Sequence, residues 1–270
     1  GLHTSSNGNS QQNRLTPDWP DTVTKEVPSE AFYLYDLDKR TWHSPTYHPM
    51  NDPTAAHEAE FGLDGTAVFR MTQGTLSTEL TVFVPPEDPL GVYLLTIRNT
   101  ADQPKRLRVA PYFQMVLGFQ PEQTGDLHAR YDRTLEALLF ENPRNTFRSG
   151  PAFVSMSLPA DTAQLRRGKF FGAGRSVAHP YMVEHGTPDA TQTLDERPVA
   201  AFLATVDVPA HGARTLAVVL GQTQTRQQAA RLIRKYQQMN EVKAALEATR
   251  QWWRSLMRTV EVTTNEPEFD

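Results

Sequence analysis

The chain has 270 residues, a net charge of −4, 39% hydrophobic and 21% charged residues, 20 prolines and no cysteine. The missing cysteines exclude disulfides, thiol catalysis and Cys-ligated metals. The acidic balance argues against nucleic acid as a partner, because phosphate-binding surfaces are basic. A chain of this length can bury a large core, as one all-β unit or as two smaller domains.

Residues 1–28 are rich in Ser, Asn, Gln, Asp and Pro and hold no apolar signal core. They read as an irregular lead-in, cut from a longer chain, in which Trp19 packs. Strand patterns follow. AFYLYDL at 31–37 is aromatic and short, and 67–71 is apolar at alternate positions. LSTELTVFV at 76–84 places Leu76, Leu80, Val82 and Val84 in near-alternation, and GVYLLTIR at 91–98 and KRLRVAPYF at 105–113 continue the series. Asp64-Gly65, Gln73-Gly74, Pro85-Pro86 and residues 99–104 supply the turns. Residues 135–142, 152–158, 200–208 and 215–221 read as further strands, the last (TLAVVLG) as a buried central one. About a dozen short strands predict two stacked antiparallel sheets.

The period changes at Thr225. Leu232, Tyr236, Met239, Val242, Leu246, Thr249, Trp253, Leu256 and Val260 recur at steps of three and four, the spacing of one helix face. Thr225 and Gln228 match a capping box, and Asn240 is a point at which the segment divides into two helices. Of Trp252 and Trp253, one lies off the stripe. The apolar face needs a cover, either another domain or the sheet itself. Residues 1–224 are thus a β domain, 225–260 a helical linker, and 261–270 the start of a further domain. No span approaches the roughly 18 apolar residues of a membrane helix.

Chemistry-bearing patterns are sparse. Gly172-Ala173-Gly174 lacks the third glycine of a dinucleotide loop and reads as a tight turn. His57, Glu58 and Glu60 suggest either a cation or acid–base site or a solvated strand face, with both glutamates on one side. Trp42 and Tyr47, flanked by His43 and His48, are candidates for a sugar platform, since aromatic rings pack on apolar sugar faces. His128, Arg130 and Asp132 alternate on one strand face, which makes His128 and Arg130 further carbohydrate-contact candidates. His179 and His185 read as surface loop residues. No catalytic constellation and no metal site emerges from spacing.

Several segments together carry a family pattern: residues 9–17 (NSQQNRLTP), Ala31-Phe32-Tyr33-Leu34, Trp42-His43-Ser44-Pro45-Thr46, residues 79–85 (ELTVFVP), Asp88-Pro89, residues 95–99 (LTIRN), Leu139-Phe140-Glu141-Asn142, Lys169-Phe170-Phe171-Gly172 and Thr193-Leu194-Asp195. In order and spacing the chain resembles the N-terminal β-sandwich domain of the glycoside hydrolase family 94 phosphorylases. Within them it most resembles the phosphorylase-like C-terminal region of bacterial cyclic β-1,2-glucan synthases. The resemblance implies a mainly β, two-sheet antiparallel supersandwich of galactose-mutarotase type, joined by a C-terminal helical linker to an α/α-barrel catalytic domain of the same polypeptide. It implies inverting phosphorolysis of β-glucosides in the parent, with phosphate as co-substrate, no other cofactor, and the acid in the barrel. It also implies β-glucan as ligand, a homodimer, and a cytoplasm-facing soluble domain whose parent is attached to the inner membrane. Asp195-Glu196-Arg197-Pro198 departs from the family pattern, so loop contacts there do not carry over. Two other readings remain: a mutarotase-like or sugar-binding protein on the same fold, with His57, His128 and Glu79 as acid–base candidates, and a protein-interaction module.

Overall fold

The computed structural model describes residues 15–16, 29–118, 127–145, 148–191 and 195–259. Its strands, in chain order, are β1 (Glu30–Asp36), β2 (Thr41–His43), β3 (Ala56–Phe61), β4 (Thr66–Gln73), β5 (Leu76–Phe83), β6 (Leu90–Asn99), β7 (Lys105–Gln114), β8 (His128–Asp132), β9 (Ala137–Glu141), β10 (Ala152–Met156) and β11 (Thr162–Arg166). Two short helices follow, α1 (Arg167–Phe171) and α2 (Tyr181–His185), then β12 (Pro198–Val208), β13 (Gly212–Gln222), α3 (Arg226–Tyr236) and α4 (Met239–Met257).

The strands form two antiparallel sheets, one of five strands in the order β11-β12-β7-β1-β2 and one of eight in the order β3-β4-β5-β6-β13-β10-β9-β8. Alternation along each strand divides its side chains between two layers. In β13, Leu216, Val218 and Leu220 enter the core between the sheets, whereas Ala217 and Val219 face outward beneath the C-terminal helices. In β1, Phe32 and Leu34 point inward and Tyr33 and Tyr35 outward. Three apolar layers therefore stack: helix on the large sheet, sheet on sheet, and a short-helix layer on the small sheet.

At one end of the sandwich the chain crosses between sheets twice, from β6 to β7 and from β12 to β13. Asn99, buried at this corner, holds both crossings. Its Nδ2 donates to the carbonyl oxygens of Gln103 (2.8 Å) and Pro209 (3.2 Å), and its Oδ1 accepts from the Ala101 N–H (3.0 Å).

The helical segment folds back on the large sheet. Ala229, Leu232, Ile233 and Tyr236 of α3 and Val242 and Ala245 of α4 are buried against Val92, Leu139, Phe153 and Val219. The predicted capping box is present: the Gln228 N–H donates to Thr225 Oγ1 (3.2 Å), and the Thr225 N–H to Gln228 Oε1 (3.2 Å). The helices part at Gln237 and Gln238 and not at Asn240, which lies in the first turn of α4. There the Asn240 side chain donates to Glu241 (3.4 Å).

Glycine at 172 follows from packing at the end of α1. Its φ is +86°, and a Cβ there would lie 2.6 Å from the Tyr181 Cβ. The tight-turn reading of 172–174 is thus the structural one. α1 and α2, each of five residues, have no counterpart in the sequence pattern, because one turn carries too little period to read. They bury Phe170, Phe171, Met182 and Val183 on Tyr33 and Tyr112. The aromatic centroids Tyr112–Phe170 and Tyr112–Phe171 lie 5.0 and 5.2 Å apart. Trp19 and residues 260–270, including the proposed start of a further domain, lie outside the described residues.

Candidate functional site

Trp42 and Tyr47 do not make one platform. Trp42 leaves β2 on the outer side of the small sheet, where its ring meets Tyr35 (4.8 Å) and His179 (5.2 Å). Tyr47, half exposed, sits edge-on to His48 (5.4 Å) and His57 (5.7 Å). His43, between them in sequence, is buried in a bridge between the sheets. Gln73 of β4 donates through its amide to Asp52 (2.8 Å) and Thr54 (2.7 Å), so its oxygen accepts from His43 Nδ1 (2.6 Å). His43 Nε2 lies 3.0 Å from the Thr41 hydroxyl, which donates to it when the ring is neutral. Burial is the main reason the imidazole's pKa lies below its ordinary value, against the opposing Gln73 hydrogen bond.

The His-Glu-x-Glu motif separates by strand alternation. Glu58 and Glu60 share one face of β3, as expected, but both point to Arg70 of β4, at 3.7 and 2.9 Å. Arg70 also binds Glu79 of β5 at 3.0 Å. His57 turns to the other face and contacts the carbonyls of Ala55 and Ser44, each at 3.3 Å. An arginine-centred ion cluster replaces the cation or acid–base site.

His128 and Arg130 are exposed on β8, with Arg130 4.0 Å from Glu141 of β9. Asp132, on the same face, accepts from Arg226 of α3 and from the backbone of Thr134 (3.1 Å) and Leu135 (3.2 Å). It closes the β8–β9 turn and ties α3 to the sheet. His57 and His128 stand on opposite edge strands of the eight-stranded sheet. At about 4.8 Å per strand that separation is of the order of 30 Å, so the mutarotase-type trio does not converge. His179 packs on Trp42, and His185 stacks on Tyr181 (4.0 Å) as the last residue of α2 and not in a loop.

Two depressions lie elsewhere. A groove of about 550 Å³ separates the outer face of β3 and β4 from the last turns of α4, with Glu60, Asp64, Arg70, Arg250, Arg254 and Arg258 in its walls. Arg250, Arg254 and Arg258 recur at four-residue steps and so share a helix face. Arg250 pairs with Asp64 at 3.3 Å. Beside it α4 leaves Trp252, Leu256 and Met257 45%, 47% and 48% exposed. Trp253 instead packs on Gly65.

The second is a cleft of about 450 Å³ between the two free edge strands β8 and β11. Tyr131, Arg133, Asp161 and Gln164 contribute its polar groups; Leu138, Ala163 and Leu165 are apolar. Sequence reading missed these residues. Tyr131 lies on the strand face opposite His128 and Arg130, and β11 alternates only Ala163 and Leu165 over five residues, none of them fully buried, which is too short a run to mark it.

Two stacked antiparallel sheets with scattered surface depressions, and no convergent acid–base set among the described residues, define the class as a β-sandwich domain. A family model described as the glycosyl hydrolase 94 supersandwich domain matches residues 1–239, and the chain belongs to that family. It is 27% identical over 280 residues to the cyclic beta-(1,2)-glucan synthase NdvB of Rhizobium meliloti (strain 1021), covering all of this chain but 10% of that protein. It is 26% identical to the N,N'-diacetylchitobiose phosphorylase of Vibrio furnissii, over 90% of this chain and 31% of that one. Among solved structures, a putative kojibiose phosphorylase from human microbiome superposes with a TM-score of 0.52 at 6% identity, over 83% of this chain and 27% of that one, which shows the shared fold. The chain spans under a third of the length of each. Among the described residues no helix is long and apolar enough to cross a membrane.

Proposed function

We propose that this chain is the non-catalytic β-sandwich unit of a larger β-glucan-processing enzyme, of the phosphorylase or cyclic β-1,2-glucan synthase kind. In this reading it supports a catalytic α/α barrel on the same polypeptide, contributes to a homodimer and contacts the glucan. The barrel supplies the acid that protonates the leaving oxygen, and phosphate is the attacking group. The parent works at the cytoplasmic face of the inner membrane. The observation that carries the reading is coverage: a chain matched along most of its length by one domain family accounts for 10% and 31% of two enzymes whose names denote glucan synthesis and chitobiose phosphorolysis.

The surface fits the role. α3 and the first turns of α4 are consumed by the sheet, but the end of α4 presents Trp252, Leu256 and Met257 beside an arginine-lined groove. An exposed aromatic and aliphatic cluster next to charged groups is the composition of an interdomain contact. The test is to incubate the purified 270-residue chain with β-1,2-glucan oligomers and phosphate, beside the full-length parent. Glucose 1-phosphate is expected from the parent alone. Its formation by this chain would refute the assignment.

A further inference from the structure

We infer that the cleft between β8 and β11 is a binding subsite for a neutral β-linked glucan oligosaccharide. The inference rests on the glucan-processing reading above and adds a location and a set of recognising groups. A volume of about 450 Å³ falls within the roughly 300–1,000 Å³ of small-molecule sites. Leu138, Ala160, Ala163 and Leu165 all line it, and all pack on the core between the sheets, so the cleft has an apolar base set in the body of the sandwich.

Its polar groups are held in place by bonds that leave one end free. Asp161 Oδ2 accepts from the Thr205 N–H and hydroxyl, each at 2.7 Å, which orients the carboxylate and leaves Oδ1 as an acceptor. Gln164 Oε1 accepts from the N–H groups of Leu165 and Arg166, each at 2.9 Å, which orients the amide and leaves Nε2 with two donors. Arg133 has no ion pair among the described residues, and Tyr131 presents a ring that is 38% exposed. A flat ring for an apolar sugar face, a fixed acceptor and fixed donors for hydroxyls are what pyranose recognition needs.

Charge and edge chemistry narrow the ligand. The cleft walls carry one cation, Arg133, and one anion, Asp161, while Arg166 is engaged by Glu196 at 3.2 Å, so the charges balance and the cleft favours an uncharged polyol over an anion. A peptide strand adding to β11 is disfavoured, because the Gln164 side chain already occupies two N–H groups there and the register shifts between Gln164 and Arg166.

The test is amide chemical-shift mapping and calorimetry on the 270-residue chain, with β-1,2-linked glucose oligomers and with α-1,4-linked oligomers of equal length. Shifts are expected at residues 131–133 and 160–166, with β-linked oligomers preferred. Tyr131→Ala and Gln164→Ala should each weaken binding at least tenfold, Tyr131→Phe should retain it, and the distant Trp252→Ala should leave it unchanged. Thermal midpoints of all four variants verify folding. No binding by the wild-type chain, shifts mapping to Tyr47 and β3, or preference for an extended peptide would overturn the subsite. Those results leave the scaffold reading standing, since that reading fails on turnover by the chain alone.

Discussion

The Tyr236 hydroxyl donates to Asp88 Oδ2 at 2.8 Å, and the neighbouring Lys235 ammonium reaches the same oxygen at 2.7 Å. Asp88 lies in the β5–β6 loop just after Pro85-Pro86, so one buried carboxylate pins the end of α3 to the large sheet. Burial first, and then the Asp88 contact, push the Tyr236 phenol far above its ordinary pKa and keep it a donor. Tyr236→Phe removes that donor and leaves Asp88 with Lys235. Hydrogen bonds to charged groups contribute about 1.5–3 kcal/mol, and urea unfolding followed by circular dichroism should show a loss of that order with an unchanged m-value.

The docking of α4 on the sheet turns on Gly65. Its φ is +78°, and a Cβ there would lie 2.0 Å from Trp253 Cδ1. Gly65→Ala therefore meets both a disfavoured backbone region and an aromatic ring, at a cost above about 1 kcal/mol. Displaced Trp253 should move tryptophan emission to longer wavelength. The shift should vanish when the substitution is made in a Trp253→Phe background.

Asn99→Ala should be among the costly polar substitutions. It strips the donor from the Gln103 and Pro209 carbonyls at the corner where both inter-sheet crossings meet. Buried acceptors left unpaired cost about 1–3 kcal/mol each. Hydrogen exchange should quicken first at the adjoining ends of β6 and β13, which equal protection in both proteins would contradict.

Stability should fall in two steps on acidification. His43 has a lowered pKa when folded, so below about pH 6.5 the unfolded chain binds the extra proton and folding weakens as pH drops. Asp195 is the opposite charge type. Burial would raise its pKa, but hydrogen bonds from Arg197 (2.8 Å) and Arg167 (2.6 Å) outweigh this and bring it to about 2. Its contribution is complete above the unfolded value, about 3.9, and is lost as pH falls toward 2. Thermal midpoints across pH should show the upper step absent in His43→Gln and the lower one reduced in Asp195→Asn.

Much of this was legible in the chain. The runs at 31–37, 67–71, 76–84, 91–98, 105–113, 135–142, 152–158, 200–208 and 215–221 correspond to the nine inner strands, and the four that remain are the four sheet edges, β2, β3, β8 and β11. An inner strand buries at least one face and so must alternate apolar residues. Five of the six residues of β3 are exposed and the sixth is half-buried, so nothing forces a pattern on them. The helical segment was legible for the reverse reason: Thr225, Gln228 and the apolar stripe are local features, and α3 formed as they dictate.

Sequence by itself determined the class of the domain, because strand alternation, turn residues and helix capping act over a few neighbouring positions. The family pattern added its kinship. What covers the helix stripe, which face of β3 each of His57 and Glu58 occupies, and which residues gather at the β8–β11 cleft were decided only by tertiary structure. Those relationships join residues tens of positions apart, from Tyr131 to Gln164 and from Asp88 to Tyr236. Sheet order, and not spacing along the chain, sets such distances.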